Sequence, residues 1–469
     1  MKKWIGLTLL VVLLWTAGCA NVALPPDASK ESTSKRLEEI AESLPQTDEF
    51  QGDTLTILTP DEKTIVGDEE AAGSVRGALK NRNALISSSY GMDVAVRAVQ
   101  EDEILETLRA AKAAGVSAGD LLCYSAETTA TLWAEGLLQD LNALPFFSPA
   151  DACYDADAAA KLQTGKGMYL LPDPSAQSYD HTYVIFYDRE LVRSAGLPLP
   201  EKEVNAGNWT IATFRRYAEA VAKSVMGKPS YDLDTDVFGY SARDNTALLP
   251  YLLWCGTDDA LFARTTGGSV DFVHDDADAL SDLIAPLQDL YNSACRYPQN
   301  GGDALTVFSA GRIGFLFAEL EELKDLYANA TREYGILPLP KRDAAQTDYR
   351  CPIAVTGNVL SVPAQAVGSS RSGLGLTAIC AAGGALLQEA EVQTYVTLYS
   401  LDNDQTCMLE TIMDNADFDF GWVYGTQERS VRNLSAGMLS DVLVDEVRFS
   451  TILRNELDAF RAYAKEKFS

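Results

Sequence analysis

An α/β fold built as two large lobes is what this sequence predicts, and three observations carry it. Strand-like and helix-like segments alternate between residues 54 and 136, the chain has 469 residues, and hydrophobic residues make up 47% and charged residues 22% of it. Alternation of this kind implies a parallel sheet with helices covering its faces. The length exceeds the roughly 100 to 150 residues of a common domain, so two domains with sizeable cores are the default. The composition is that of an ordinary folded chain and excludes a disordered or fibrous one.

At the start of the chain, MKKWIGLTLLVVLLWTAGCA places two lysines before an apolar run from Trp4 to Trp15 and ends on small residues and Cys19. The run is shorter than the about 20 residues that span a bilayer, and it fits the apolar region of a signal peptide. The TAGC ending resembles a bacterial lipobox, which implies that residues 1–19 are a lipoprotein signal peptide and that Cys19 is lipidated; a plain secretory signal or an uncleaved anchor helix is the alternative. Residues 20–52 are polar and read as a tether, with a short helix around Arg36 to Ser43.

Beyond the tether, Thr54–Leu58, Asp93–Val99 and Asp120–Tyr124 are strand-like, and helical patterns lie between and after them at Glu69–Ser88, Glu101–Ala114 and Glu127–Glu135. Gly115 and Gly136 stand where the second and third of these helices should end. In VIFYDRELVRSAGLPLP, Val184–Tyr187 reads as a buried strand, Asp188 as a helix cap, Gly196 as the helix stop, and Pro198 and Pro200 as a bar to continuation. Trp209 then sits at a corner before a helix running from Ile211 to Met226. Later helices are expected at Asp276–Ser293 and Thr377–Ser400, and strands at Ile313–Phe317, Tyr334–Leu339 and Val359–Val362. The chain closes on the amphipathic ILRNELDAFRAYAKEKF and has no fixed-period repeat.

Charge and side-chain inventory narrow the chemistry. A net charge of -29 without clustered Lys and Arg excludes nucleic acid as a partner. Setting Cys19 aside, the cysteines at 123, 153, 255, 295, 351, 380 and 407 show no C-x-x-C spacing, which argues against a zinc site and a complete disulfide framework. Buried thiols with one or two disulfides fit an exported chain. Only His181 and His274 are available as imidazoles, and neither HExxH nor G-x-S-x-G occurs, so no metal or nucleophile motif is present. Asp180 beside His181 invites a general-base reading but lacks a nucleophile to serve. GLGLTA at Gly373–Ala378 matches G-x-G-x-x-A yet follows no strand, so it reads as a turn leading into a helix and no dinucleotide cofactor is expected. Carboxylate pairs such as Asp258 with Asp259, or Asp417 with Asp419, suit a glycosidase, but 67 acidic residues produce such pairs by composition.

Aromatic residues stand out instead: Tyr90, Tyr124, Trp133, Trp209, Tyr240, Tyr251, Trp254, Trp422 and Tyr424. Aromatic faces stack on sugar rings while carboxylates and amides read hydroxyls, so such a set can bind carbohydrate without chemistry. Many large aromatics are simply core. Tyr124, at the end of a parallel strand, with Ser125 beside it, and Trp422 in the irregular FDFGWVYG suit a pocket best, because ligands collect outside strand C-termini in open sheets.

FYDRELVRSAGLPLP followed by NWTIATFRRYAEAVAK resembles a segment of the extracellular solute-binding proteins of bacterial ABC importers, in their family 1-like, carbohydrate-type form. FSAGRIGFLFAELEEL, YGILPLPK, VLSVPA and the earlier DLLCYSAETTATLWAEGLLQDLN are similar to further segments of that family, in the same order. The resemblance implies a periplasmic binding protein type II-like fold: two α/β lobes joined by a hinge of crossing strands that close on a ligand. It implies lobe one at 53–181 and 357–412, lobe two at 184–355 and 413–469, and crossings near 181–184 and 355–357. Carried over residue by residue, it marks Asp180 at the first crossing, Asp244 and Asn245 after the strand FGYSA, and Trp422 as the stacking aromatic; Tyr124, Ser125, Trp254 and Tyr424 complete the candidate set. Where sugar binders usually carry a tryptophan, this chain has Phe317, Ala318 and Glu319. The implied function is capture of a small solute, expected to be a sugar or oligosaccharide, by a monomer lipid-anchored on the outer face of the cell membrane, and its delivery to an ABC permease, with no cofactor, metal or catalytic residue. A carboxylate-dependent glycoside hydrolase and a ligand sensor of the same fold are the alternatives.

Overall fold

The computed structural model describes residues 26–66, 75–150, 156–172, 179–222, 225–227, 230–243, 248–264, 269–274, 277–298, 302–328, 331–366, 368–399, 402–425 and 449–468, with residues 431, 434 and 437–444. Twelve strands are described: β1 Thr54–Thr59, β2 Asp93–Ala98, β3 Leu121–Ser125, β4 Tyr183–Asp188, β5 Phe238–Ala242, β6 Phe262–Arg264, β7 Val270–Phe272, β8 Ile313–Glu319, β9 Tyr334–Leu337, β10 Cys351–Pro352, β11 Asn358–Ser361 and β12 Ala416–Asp417. They form two four-stranded sheets, ordered β11-β3-β1-β2 and β5-β8-β4-β9, and two short ribbons, β10-β12 and β6-β7. Each large sheet with its helices is one lobe.

In the first lobe β1 pairs in parallel with both β2 and β3, as the alternation predicts, and β11 returns from far along the chain to pair antiparallel with β3. Leu55, Ile57, Leu121 and Cys123 are fully buried on this sheet, against Ile86 of the helix Val75–Tyr90 and Leu374 and Ile379 of the helix Ser369–Tyr399. Glycines 115 and 136 take the left-handed conformation (φ 66° at both) that ends the preceding helices. The GLGLTA stretch is not a turn: it lies inside the helix Ser369–Tyr399. A Cβ on Gly373 would overlap the Pro145 carbonyl, and one on Gly375 would overlap Leu55, so these glycines let the helix backbone lie close on the sheet. That helix is long and apolar enough to cross a membrane, yet 76% of its most apolar window is buried inside the protein, which makes it a core helix. The expected tether is also ordered in part. Pro26–Ser43 is a helix whose Ile40, with Leu44 just beyond it, is buried against the first lobe, and Arg36 pairs with Glu389 at 2.5 Å.

The second sheet is mixed, because β4 runs antiparallel to both of its neighbours while β5 and β8 are parallel. All six residues of β4 are buried, so its continuous apolar run reflects two covered faces. Asp188 caps the next helix, accepting from Leu191 N at 2.8 Å, and its buried carboxylate also holds Arg332, whose Nη2 donates at 3.0 Å. Gly196 ends that helix at φ 77°. Trp209 is fully buried at the corner: its indole N–H donates to Pro338 O at 3.1 Å, and its ring meets Phe214 and Tyr217 edge-on at 5.8 and 5.7 Å. Burying a side chain of this size removes on the order of 200 Å² from water, a gross gain of about 5 kcal/mol.

Two boundaries differ from the sequence-derived ones. The helix Asn403–Asp414, expected with the first lobe, packs on β9 of the second: Ile336 N donates to Gln405, whose amide in turn donates to the buried Glu201 at 2.5 Å. Gln405 thus ties this helix to the second lobe through a buried polar network. Residues beyond 413, expected wholly in the second lobe, touch both, since Tyr424 and Phe468 pack on Trp133 of the first-lobe helix Ala126–Ala134.

Candidate functional site

Three chain segments run side by side between the sheets. Thr182 bridges Ile353 in antiparallel fashion, Ala354 N donates to His181 O at 2.9 Å, and β10 pairs in parallel with β12, so the third segment, near 416–417, joins the two expected crossings. Adjacent backbone pairing at a junction gives a stiff but bendable hinge, because few dihedrals need to change for the lobes to move.

Charged side chains cluster on this hinge. His181 Nδ1 lies 3.0 Å from Glu319 and 3.3 Å from the Thr356 hydroxyl. Burial pushes its imidazolium down, but the hydrogen bond to Glu319 and the charges of Glu319, Glu321 and Asp180 outweigh it and hold His181 above its ordinary value. Asp180 also has partners in both lobes. Its carboxylate takes Lys324 from the second-lobe helix Leu323–Ala328 at 2.5 Å and the Tyr395 hydroxyl from the first-lobe helix, so it clasps the two lobes. Glu391, one turn before Tyr395, is buried and accepts from Tyr179 N at 3.3 Å; burial pushes its carboxyl up to about 8.

The other end of the junction carries a second cluster. Asp417 is buried and receives Lys161 together with Arg350 Nη2 at 3.0 Å, while Arg350 Nη1 reaches Asp258 at 2.7 Å. Asp258 holds φ 57°, a left-handed conformation that Asp adopts more readily than most residues. Beside this array Trp422 stacks on Tyr251 with ring centroids 3.8 Å apart. Trp422 is half-buried, on the short helix Phe420–Gly425 that Asp419 caps by accepting from Trp422 N at 2.8 Å. Burial pushes Asp419 up and pushes Tyr251 well up. The Tyr251 hydroxyl is buried with no nitrogen or oxygen partner among the described residues and only the weakly bonding Cys255 thiol beside it. Such an arrangement costs on the order of 1–3 kcal/mol. Of this cluster the part-exposed Trp422 ring is the group that suits stacking on a sugar face.

The sequence-derived residues scatter relative to this geometry. Trp422 is in it and Asp180 is on the hinge. Tyr124 is a core residue: its ring is fully buried and its hydroxyl donates to Val99 O at 2.8 Å. The strand end pointed to a pocket, but both faces of β3 are covered, so its side chains before Ser125 are enclosed on either side. Ser125 caps the helix Ala126–Ala134, accepting from Thr128 N at 3.2 Å, and contacts Glu101 at the first-lobe edge. Trp254 is buried against His274, and Tyr424 is buried with its hydroxyl donating to Leu162 O at 3.0 Å, so both are packing residues. Asp244, Asn245 and Cys19 lie outside the described residues. Sequence reading passed over Lys161 and Arg350, which carry no motif, and named Tyr251 without placing it. Aromatic content gave the only signal for Tyr251, within the apolar helix Leu248–Cys255.

Among the described residues no group of three or more His, Cys, Asp or Glu side chains is placed to hold a metal ion. A cavity of about 400 Å³ lies away from this cluster, where Arg36, Glu389, Met413 and Asp414 meet, and includes none of the candidate residues. Cysteines 123, 295, 351 and 380 are buried thiols and Cys255 a half-buried one, as expected, while Cys407 is disulfide-bonded to a partner outside the described residues.

No family model matches the sequence, and no curated protein matches it. Solved structures do match in fold. The cyclic α-maltosyl-1,6-maltose binding protein from Arthrobacter globiformis aligns at 16% identity over 88% of this chain and 99% of its own, with a TM-score of 0.57. UgpB from Mycobacterium tuberculosis, in complex with glycerophosphocholine, aligns at 15% identity over 89% and 100%, TM-score 0.52. An extracellular solute-binding protein of family 1 from Alicyclobacillus acidocaldarius aligns at 12% identity over 88% and 98%, TM-score 0.53. Aligned over 88–89% of its length on these structures, this chain has the two-lobed α/β fold of the solute-binding proteins of ABC importers.

Proposed function

We propose that this protein captures a neutral sugar or oligosaccharide between its lobes and hands it to an ABC permease. The observation that carries this reading is the half-buried Trp422 stacked on Tyr251 beside Asp419, at the junction of both lobes. Arg350 and Lys161 are already neutralised by Asp258 and Asp417. Among the described residues the cluster therefore offers no spare cation to an anionic solute, which favours a neutral ligand over a phosphodiester such as the one bound to UgpB. Closure follows from differential contact: a ligand touching both lobes binds the closed arrangement better and shifts the population toward it.

The hydrolase reading is weaker. Asp417 is held by two cations and Asp419 caps a helix, so neither carboxylate of that pair is free to attack or to transfer a proton. A sensor of the same fold would use the same site, and a neighbouring permease gene would favour transport. Lobe one is taken as 53–181 with 357–399, and lobe two as 184–355 with the helix Asn403–Asp414 and most of the chain beyond it. Lipid anchoring at Cys19 keeps the monomer on the outer face of the membrane, and a disulfide at Cys407 fits that oxidising side.

Isothermal calorimetry of the mature chain against neutral oligosaccharides and glycerophosphodiesters tests the ligand. Binding of the oligosaccharide arm is expected; binding of the phosphodiester arm alone would overturn the neutral-sugar assignment. Hydrolysis of a bound glycoside would replace the transport reading. Loss of fatty-acid labelling in Cys19→Ser checks the anchor.

A further inference from the structure

The helix Phe449–Lys467 starts on the second lobe and finishes on the first. Its Phe460 is fully buried against Phe262 of β6, with centroids 4.7 Å apart, and Arg461 reaches Asp271 of β7 at 3.4 Å. One turn past Ala464, Phe468 is also fully buried, in a box of different origin. Its ring stacks on Trp133 at 5.4 Å and an interplanar angle of 9°, and Phe420 and Tyr424 meet it edge-on at 5.0 and 5.4 Å. The backbone is held there too: Gly165 N donates to Phe468 O, and Lys166 Nζ donates to Glu466 O. Residues 164–168 belong to the first lobe, since Leu141 N donates to Met168 O at 2.7 Å and Met168 N to Asp140 at 3.0 Å.

We propose that Phe468 is a latch between the lobes, separate from the hinge, which stabilises the lobe arrangement seen here and so sets the balance between arrangements in the ligand-free protein. A hinge motion leaves paired crossing strands nearly unchanged but displaces any contact away from the axis. The ring of Phe468 must then leave Trp133, or the helix must leave Phe262, for the lobes to turn. An aromatic stack contributes roughly 0.5–1.5 kcal/mol beyond its burial, enough to move a two-state population by up to about tenfold.

The test uses the full chain without ligand, spin-labelled at Val116 and Lys202, exposed positions in the first and second lobes. Interlobe distances are measured by pulsed electron resonance in the parent, in Phe468→Ala and in Phe468→Leu, which keeps apolar burial without the ring. A second distance population is expected in both variants, raised by up to about tenfold over the parent in Phe468→Leu, which loses the stack, and by more in Phe468→Ala, which loses the burial as well. Distances superimposing on the parent in a folded variant, with only a lower melting temperature, would overturn the latch. Should Phe468→Ala not fold, Phe468→Leu decides the matter alone. Ligand plays no part in this measurement, so its failure and failure of the sugar-binding reading are distinguishable.

Discussion

Replacing Glu391 by Gln should remove most of one pH dependence of folding stability. The carboxyl is buried in the long first-lobe helix, accepts a single backbone N–H at 3.3 Å, and has Asp180 and Lys324 as its charged neighbours. Desolvation raises it to about 8 from an ordinary 4.5, with Asp180 adding and Lys324 and the Tyr179 amide subtracting. The folded protein therefore keeps a proton that the unfolded chain gives up. Its contribution to stability is complete below about pH 4.5 and is lost as pH rises to about 8, where both states are ionised. Across that window the loss is on the order of 5 kcal/mol, with a slope near 1.4 kcal/mol per pH unit. Glutamine keeps the acceptor for Tyr179 and cannot ionise. Urea unfolding of both proteins across the window should show a parent-minus-variant difference that falls steadily with rising pH. His181 also titrates there, in the same direction, but is common to both proteins and cancels. A difference that stays flat would mean that Glu391 is ionised in the folded state, and the desolvation argument would fail.

Other substitutions probe different links. Asp188→Ala strips Arg332 of its buried partner and the helix of its cap, leaving Glu190 at 3.2 Å as Arg332's remaining carboxylate; a loss of about 3 kcal/mol or more by chemical denaturation is expected. Gly373→Ala should destabilise by about 1–3 kcal/mol through overlap with the Pro145 carbonyl, although the same change in an exposed helix gains about 1 kcal/mol, so the sign of the calorimetric shift is the test. Trp422→Ala should weaken oligosaccharide binding roughly tenfold by titration calorimetry while leaving the fold intact; unchanged affinity would remove Trp422 from the site.

How much was legible depended on how local the cause was. Asp188, Gly196 and Trp209 read correctly from VIFYDRELVRSAGLPLP onward, because a cap, a left-handed stop and a corner aromatic act within a few residues. The same local logic misplaced GLGLTA, since the reason for its glycines is the Pro145 carbonyl and Leu55, both far away in sequence. Tyr124 stands at a strand end, but its ring is enclosed because both faces of β3 are covered by segments distant in sequence. The resemblance implies a first-lobe place for residues up to 412, whereas Gln405 ties the helix Asn403–Asp414 to Glu201 and Ile336.

The sequence by itself determined the alternation of strands and helices, the helix ends and the acidic, histidine-poor chemistry, and its ordered run of motifs already pointed to a two-lobed binding fold. Those features follow from side-chain periodicity, capping and backbone freedom, which operate over a few residues. Tertiary structure alone decided that β12 lies beside the two expected crossings, that Asp180 clasps Lys324 and Tyr395, that Arg350 is neutralised by Asp258 and Asp417, and that Phe468 reaches Trp133. Each of these joins residues dozens to hundreds of positions apart, and a charge or ring contact at such separation is set by how packed lobes meet, for which a linear chain carries no local signal.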